Sequence, residues 1–209
     1  RGDLGAVVRA ILLDPDAGSS LDPNFGKIRE PIIRLANLFR ACGATSASGK
    51  WQVRSTSSSL SLGQSPLTSP SVFNYFRPGY TPQGAKIGDL GLVAPEFQIV
   101  DEISVAAYAN LIQSLLSTGI GYGSDVRLSL SSEIALARDP AALVDRLNTI
   151  LLYGSMSAGL RQRTIDAVND ITIPTLPSAT QAQIDTALKN RASIAVYFTM
   201  VSPDFLVQR

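Results

Sequence analysis

Residues 62–98 limit the fold of this chain more than any other stretch, because their prolines and glycines exclude a long helix. The segment reads LGQSPLTSPSVFNYFRPGYTPQGAKIGDLGLVAPEFQ and contains five prolines and five glycines. Proline removes a backbone donor and clashes with the preceding helical turn. The segment is nevertheless too apolar for an unstructured tail. We therefore predict a proline-rich, packed segment that is ordered but has little regular secondary structure.

Four aromatic residues lie close together in this segment, although aromatic residues make up only 7% of the chain. They are Phe73, Tyr75, Phe76 and Tyr80. Two interpretations stay open: the rings anchor the irregular backbone to the core and offset the entropy of ordering it, or they line a groove. We favour anchoring. The preceding residues 44–61 are rich in Ser, Thr and Gly, which predicts a surface loop.

Helical periodicity accounts for most of the remaining chain. Apolar residues recur every three or four positions, and each pattern is bounded by capping residues, Gly or Pro. The predicted helices begin near Asp3, near Ile28, at Asp101 or Glu102, after Asp139, after Ser157 and after Thr180. The alternation typical of strands does not appear over a useful length, and we find no internal repeat. We predict a mainly α, irregular multi-helix domain that spans residues 1–209.

The low charge of the chain bears on its partners. Charged residues make up 17% of the sequence, against roughly 25% in an average soluble domain. Such a surface is either sparsely charged or partly covered by other protein. The net charge is +1, and no run of Lys or Arg is present that would neutralise several phosphates, so nucleic acid is not expected. The longest apolar run, residues 194–201, is too short for a transmembrane segment.

The absence of histidine excludes several kinds of chemistry within this chain. Histidine is the commonest general base and metal ligand, and the sequence has none. With a single cysteine, zinc sites built from Cys and His are excluded as well. Cys42 itself falls on the apolar side of a predicted helix, which favours a buried thiol over a reactive one. We predict no catalytic, cofactor-binding or metal-binding residue here; whether the protein needs a cofactor stays unknown.

The acidic residues that follow the proline-rich segment have two interpretations. Glu96, Asp101 and Glu102 lie at or just before a predicted helix, where carboxylates cap the helix and interact favourably with its dipole. The alternative is a carboxylate that faces a cleft opposite Arg77. We favour capping, and we keep Arg77, Tyr80 and Glu96 with the aromatic cluster as candidates for a groove or interface.

Two further motifs favour structural roles. Residues 119–123, GIGYG, follow a helix instead of a strand and lack the Lys-Ser/Thr ending of a phosphate-binding loop, which favours a glycine-rich connection. Arg29 and Glu30 precede Pro31. For these two residues we favour a structural ion pair, with anchoring of the proline-rich segment as the alternative.

The chain also resembles a known family. The distinctive strings are GKIREP at 26–31, LGQSPL and PSVFNYFRPGY within 62–80, and LVAPEF at 92–97. From residue 2 to the closing SPDFLVQR, the sequence resembles the second half of the bacterial family called domain of unknown function 1800. The resemblance implies longer, exported proteins, periplasmic or extracellular, with a signal peptide and an N-terminal half that carries histidine-bearing motifs. It implies no catalytic residue in this part, and the start at Arg1 leads us to expect a fragment or processed product.

Two functional hypotheses follow. The first is a non-catalytic helical module that forms an interface with its own N-terminal half or with another protein subunit. The second is one half of an envelope or extracellular enzyme, in which Arg77, Tyr80 and Glu96 form a groove wall and the catalytic or metal-binding residues lie in the N-terminal half.

Overall fold

The computed structural model of this protein describes residues 2–15 and 26–208. The domain is mainly α, as predicted: within the described residues it has nine helices and four two-residue strands. The helices are α1 (Leu4–Leu13), α2 (Pro31–Ala41), α3 (Lys86–Asp89), α4 (Glu102–Ser117), α5 (Ser131–Leu136), α6 (Pro140–Leu152), α7 (Ala158–Asn169), α8 (Gln181–Met200) and α9 (Pro203–Leu206).

The strands form two small antiparallel pairs that join distant parts of the chain. β1 (Lys27–Ile28) pairs with β4 (Val207–Gln208), so that Ile28 faces Val207. β2 (Thr45–Ser46) pairs with β3 (Val126–Arg127). The first pair brings the start of α2 to the end of the described chain.

Local signals in the sequence explain where the helices begin and end. The Asp139 side chain accepts a hydrogen bond from the Ala142 N–H at 3.0 Å, and Pro140 occupies the first helical position of α6, where a missing N–H costs nothing. Thr180 and Gln183 form a capping box at the start of α8, as predicted. These helix starts are therefore determined by a few neighbouring residues.

The core forms around α8, which packs against α4, α5, α6, α7 and α9. Small buried residues on α8, Ala192 and Ala195, allow the neighbouring helices to approach closely. Among the largest fully buried side chains are Leu38 of α2, Leu147 of α6 and Phe205 of α9. One contiguous apolar cluster thus joins the helices on both sides of residues 62–98.

The second helix differs from its prediction. Ile28 lies in β1 and not in a helix, because Pro31 is accommodated only at the first helical position and α2 starts there. The buried face of α2 consequently runs through Pro31, Arg34, Leu35 and Leu38. A charged residue therefore occupies the buried side of this helix.

Residues 62–98 contact the rest of the domain most closely at their start. Leu62, Gln64 and Ser65 are buried, whereas most later residues are exposed or half-buried. The Gln64 Oε1 accepts from the Ile32 N–H at 3.1 Å, and its Nε2 donates to the Glu30 carboxylate. Regular structure in the segment is limited to α3 and a 3-10 helix at Pro95–Ile99.

Candidate functional site

The two stretches that carry the predicted groove residues, 77–80 and 94–98, are joined by hydrogen bonds. The charged groups of Arg77 and Glu96 do not pair. The Arg77 N–H donates to Gln98 Oε1 at 2.8 Å, and the Tyr80 carbonyl accepts from the Ala94 N–H at 2.9 Å. Arg77 is exposed and Glu96 is half-buried. Among the ion pairs of the described residues, none joins Arg77 to Glu96. One hydrogen bond to the Gln98 side chain and one between backbone groups therefore join residues 77–80 to residues 94–98.

The four aromatic residues do not act as one cluster of anchors. Phe73 is 67% exposed and so contributes no anchor. Tyr75 is half-buried, and its hydroxyl donates to the Ser65 carbonyl at 2.7 Å and accepts from the Ser65 N–H at 3.2 Å. Phe76 and Tyr80 are half-buried. Tyr75 is thus the residue whose side chain visibly ties the segment to its own buried start.

Asp101 has the predicted capping role. Its carboxylate accepts from the Ser104 N–H at 2.8 Å, and its own N–H donates to the Ser104 hydroxyl at 2.8 Å. The hydrogen bond from the Ser104 backbone lowers the pKa of Asp101, because it stabilises the charged form. This carboxylate therefore satisfies a backbone donor in the first turn of α4.

The GIGYG motif packs against a neighbouring loop. Gly121 has φ +85°, and a Cβ at this position would lie 2.4 Å from the Gln52 carbonyl oxygen. Ile120 between the glycines forms an antiparallel bridge with Val126. Close approach of two backbones thus accounts for glycine here.

Cys42 has the predicted buried environment. Its side chain is 2% exposed. Burial raises the pKa of the thiol to about 12, and the nearby charge of Glu133 acts in the same direction. A thiol of this kind is protonated and unreactive at neutral pH.

Three arginines among the residues described here are buried, and they differ in how their hydrogen-bonding groups are satisfied. Arg191 donates to the Ile171 carbonyl at 2.7 Å and to the Ala137 carbonyl at 3.2 Å, so it joins the ends of α7 and α5. Arg29 and Arg34 each retain one buried guanidinium nitrogen without a hydrogen-bond partner, Nη1 and Nη2 respectively. Neither forms an ion pair with a described carboxylate.

The favoured interpretation, ion pairs between these two residues and their neighbours, is therefore wrong within the described residues, where neither Arg29 nor Glu30 belongs to an ion pair. Glu30 instead accepts a hydrogen bond from Gln64, which corresponds to the alternative that we kept open, an anchor for the proline-rich segment.

The backbone around Arg29 is held from two directions. The Arg29 N–H donates to the Leu206 carbonyl at 2.8 Å, which continues the pairing of β1 with β4. The Arg34 Nε donates to the Arg29 carbonyl at 2.7 Å. The Arg29 guanidinium carbon lies 4.7 Å from the centre of the Phe205 ring, and that of Arg34 lies 5.2 Å from the centre of the Tyr108 ring. Aromatic faces thus replace carboxylates as the neighbours of both cations.

Burial lowers the pKa of both guanidinium groups from their usual range, while the neighbouring tyrosines Tyr153 and Tyr108 oppose that change at Arg29. Arginine nevertheless stays charged at neutral pH because its ordinary pKa is above about 12. Two positive charges therefore lie side by side in a largely buried environment.

A cavity of about 470 Å³ opens beside Arg29. It lies where α6 ends, α7 begins and α9 meets β4. Its apolar walls include Leu152, Pro203 and Val207. Its other polar lining residues are Tyr153, Ser155, Ser157, Asp204 and Gln208.

Sequence reasoning missed this site. The cavity walls come from segments more than a hundred residues away from Arg29 in the sequence, and no local pattern connects them.

The apolar side chains of α1 form an exposed surface. The Asp3 carboxylate caps the helix by accepting from the N–H groups of Gly5 and Ala6. None of its residues is buried. The exposed fractions of its six large apolar side chains range from 51% to 77%. We call these six the α1 apolar face: Leu4, Val7, Val8, Ile11, Leu12 and Leu13.

Residues 2–15 and 26–208 contain no group of three or more His, Cys, Asp or Glu side chains placed to hold a metal ion. No helix in these ranges has both the length and the apolar character needed to cross a membrane.

The fold is thus a mainly α domain with a cavity beside a buried arginine and an exposed apolar helix. The chain belongs to the family described as "Protein of unknown function (DUF1800)", which matches residues 1–207. No curated protein and no solved structure matches the chain.

Proposed function

We propose that this chain is a non-catalytic helical interaction module of an exported bacterial protein, and that the α1 apolar face packs against the N-terminal half of that protein. The observation that carries this proposal is the exposure of the α1 apolar face. Its six side chains would otherwise remain in water, although burying one side chain of this size is worth roughly 1.5–3 kcal/mol. The exported location and the N-terminal half rest on the family resemblance.

The composition of α1 supports a folded protein as its partner. Arg9 is the only charged residue among the ten residues of the helix. A helix that is apolar around most of its circumference is typically buried inside protein. Helices that lie on membrane surfaces instead carry several Lys or Arg residues on their polar side, and a ten-residue helix of about 15 Å is too short to span a bilayer.

Further apolar residues are exposed in and just before the proline-rich segment. Leu67 and Val72 of the proline-rich segment are 104% and 93% exposed, and Leu60 just before it is 77% exposed. Exposed apolar surface is a feature of protein interaction sites. The low fraction of charged residues, 17%, is the expected composition of a chain whose surface is partly covered.

Thiol labelling tests the proposal, because Cys42 is buried and contributes little background. An Ile11→Cys variant is made both in the 209-residue chain and in the longer protein that contains the N-terminal half, and the rate of reaction with a maleimide is measured. Ile11 is 62% exposed in the present structure, so we expect rapid labelling of the 209-residue chain and strong protection in the longer protein.

A Tyr122→Cys variant is the matched control, since Tyr122 is 88% exposed and far along the chain from α1. It should be labelled rapidly in both proteins. Equal labelling of Ile11→Cys in the two proteins would refute the proposal. Protection that already appears in the 209-residue chain and grows with its concentration would assign the partner to a second copy, and the N-terminal half would then be the wrong partner.

A further inference from the structure

The cavity beside Arg29 is independent of the α1 apolar face. Its central feature is the guanidinium of Arg29, which forms no ion pair with a described carboxylate. Arg29 is 9% exposed, and its Nη1 is buried without a hydrogen-bond partner. An uncompensated charge in such a place is costly, and buried charges in proteins are normally paired. The ring of Phe205 offers only a weak substitute for a carboxylate.

The cavity has the dimensions and lining of a small-molecule site. Its volume of about 470 Å³ lies within the roughly 300–1,000 Å³ that such sites occupy. Leu152, Pro203 and Val207 provide an apolar wall, and Arg29 lines the same cavity. A ligand that fits has an apolar body and one charged group that complements Arg29.

Asp204, the second charged residue of the cavity lining, limits the negative charge of a ligand that the cavity can bind. Asp204 also lines the cavity, and its Oδ2 accepts from the Ser157 N–H at 2.7 Å at the start of α7. Arg29 and Asp204 together contribute no net charge. A singly charged carboxylate is therefore accommodated better than a doubly charged phosphate, which would add repulsion from Asp204. The guanidinium fork also matches the geometry of a carboxylate.

We propose that the cavity binds a small organic carboxylate, with its carboxyl group paired to Arg29 and its apolar body against Leu152, Pro203 and Val207. Binding of this kind gives Arg29 the ion-pair partner that no described residue provides. It requires no catalytic group and no metal ion.

Nuclear magnetic resonance titration of the ¹⁵N-labelled chain tests the proposal with three probes. Sodium benzoate carries a carboxylate on an apolar body, benzamide is its neutral analogue, and inorganic phosphate is the competing anion. We expect saturable shifts at the Arg29 Nε–H and at the backbone of Ser157 and Gln208 with benzoate. Benzamide should cause none of these shifts, and phosphate should bind more weakly than benzoate.

Substitutions at Arg29 assign the binding to its charge. In Arg29→Met the dissociation constant for benzoate should rise by about tenfold or more, since a charge-assisted pair is lost. Arg163→Met removes the same charge from an exposed position of α7 that does not line the cavity, and it should leave benzoate binding unchanged. Arg29→Lys keeps the positive charge but loses the two-pronged guanidinium group. Its affinity for benzoate should lie between those of wild type and Arg29→Met, and it replaces Arg29→Met in the test if that variant does not fold.

Several results would overturn the proposal. Equal binding of benzamide and benzoate, tighter binding of phosphate, or unchanged affinity in a folded Arg29→Met or Arg29→Lys variant would each do so. Loss of benzoate binding in the longer protein would show that a carboxylate of the protein itself fills the cavity, and a small ligand would then be the wrong occupant.

Discussion

Because the thiol of Cys42 is buried, we expect the free energy of unfolding of the domain to fall as pH rises through the alkaline range. In the folded chain burial raises the pKa of this thiol to about 12, whereas an unfolded cysteine has a pKa of about 8.5. Below the lower of the two values both states keep the proton, and the thiol has no effect on the pH dependence. Between the two values only the unfolded state ionises, so the free energy of unfolding falls as pH rises.

The size of this loss follows from the two pKa values. At about pH 10 the unfolded thiol lies roughly 1.5 pH units above its pKa, and its ionisation stabilises the unfolded state by about 2 kcal/mol. The chain has no histidine, so no histidine titration is superimposed at neutral pH. Burial also raises the pKa of Tyr108, but ordinary tyrosine titrates near 10, so its effect develops mainly at higher pH.

Urea unfolding followed by circular dichroism, with reductant present, measures this effect in wild type and in Cys42→Ala near pH 7 and pH 10. Between pH 7 and pH 10 the free energy of unfolding should fall by about 2 kcal/mol less in Cys42→Ala than in wild type. Leu38→Ala is the matched control, because this side chain is buried one helical turn before Cys42 but does not titrate. The variant should be less stable than wild type at both pH values. The change in its free energy of unfolding between pH 7 and pH 10 should equal that of wild type. If Cys42→Ala and wild type lose the same free energy between the two pH values, the reasoning about the buried thiol is wrong.

Two further predictions concern the loops around residue 121. Gly121→Ala should destabilise the fold by about 2 kcal/mol or more, because alanine is strained at this left-handed position and its Cβ would contact the Gln52 carbonyl. Gly123→Ala is the control, since its Cβ would meet open space. It should lower the free energy of unfolding by less in the same urea assay. The Asp125 carboxylate accepts from the N–H groups of Gln52 and Ser48, which lower its pKa, so stability should fall as pH drops below about 4. Asp125→Asn should show a smaller acid loss, and an equal loss would argue against this role.

Helix boundaries were predictable because neighbouring residues determine them. Asp139 with Pro140, and Thr180 with Gln183, satisfy backbone groups within one turn, and such contacts are visible in the sequence. The absence of histidine likewise excludes whole classes of chemistry from this chain, because it depends on composition alone. The six residues of α5 were missed because so short a helix has little periodicity.

Burial on the second helix was not predictable in the same way. The sequence pattern placed Ile28 on a helical face, while the pairing of Ile28 with Val207 draws that residue into a strand. This pairing joins residues far apart in the chain, and no local propensity reports it. The start of α2 at Pro31 then turns Arg34 toward the core.

The sequence alone therefore determined a mainly α domain, its principal helix starts, its buried cysteine and the lack of histidine chemistry, since each depends on composition or on residues a few positions apart. Only the tertiary structure decided that Arg29 lies beside a cavity without a described carboxylate partner, and that the α1 apolar face is exposed. The physical reason is that burial and charge pairing depend on segments brought together from distant parts of the chain: Arg29 is positioned by Leu206 and faces walls from α6, α7, α9 and β4.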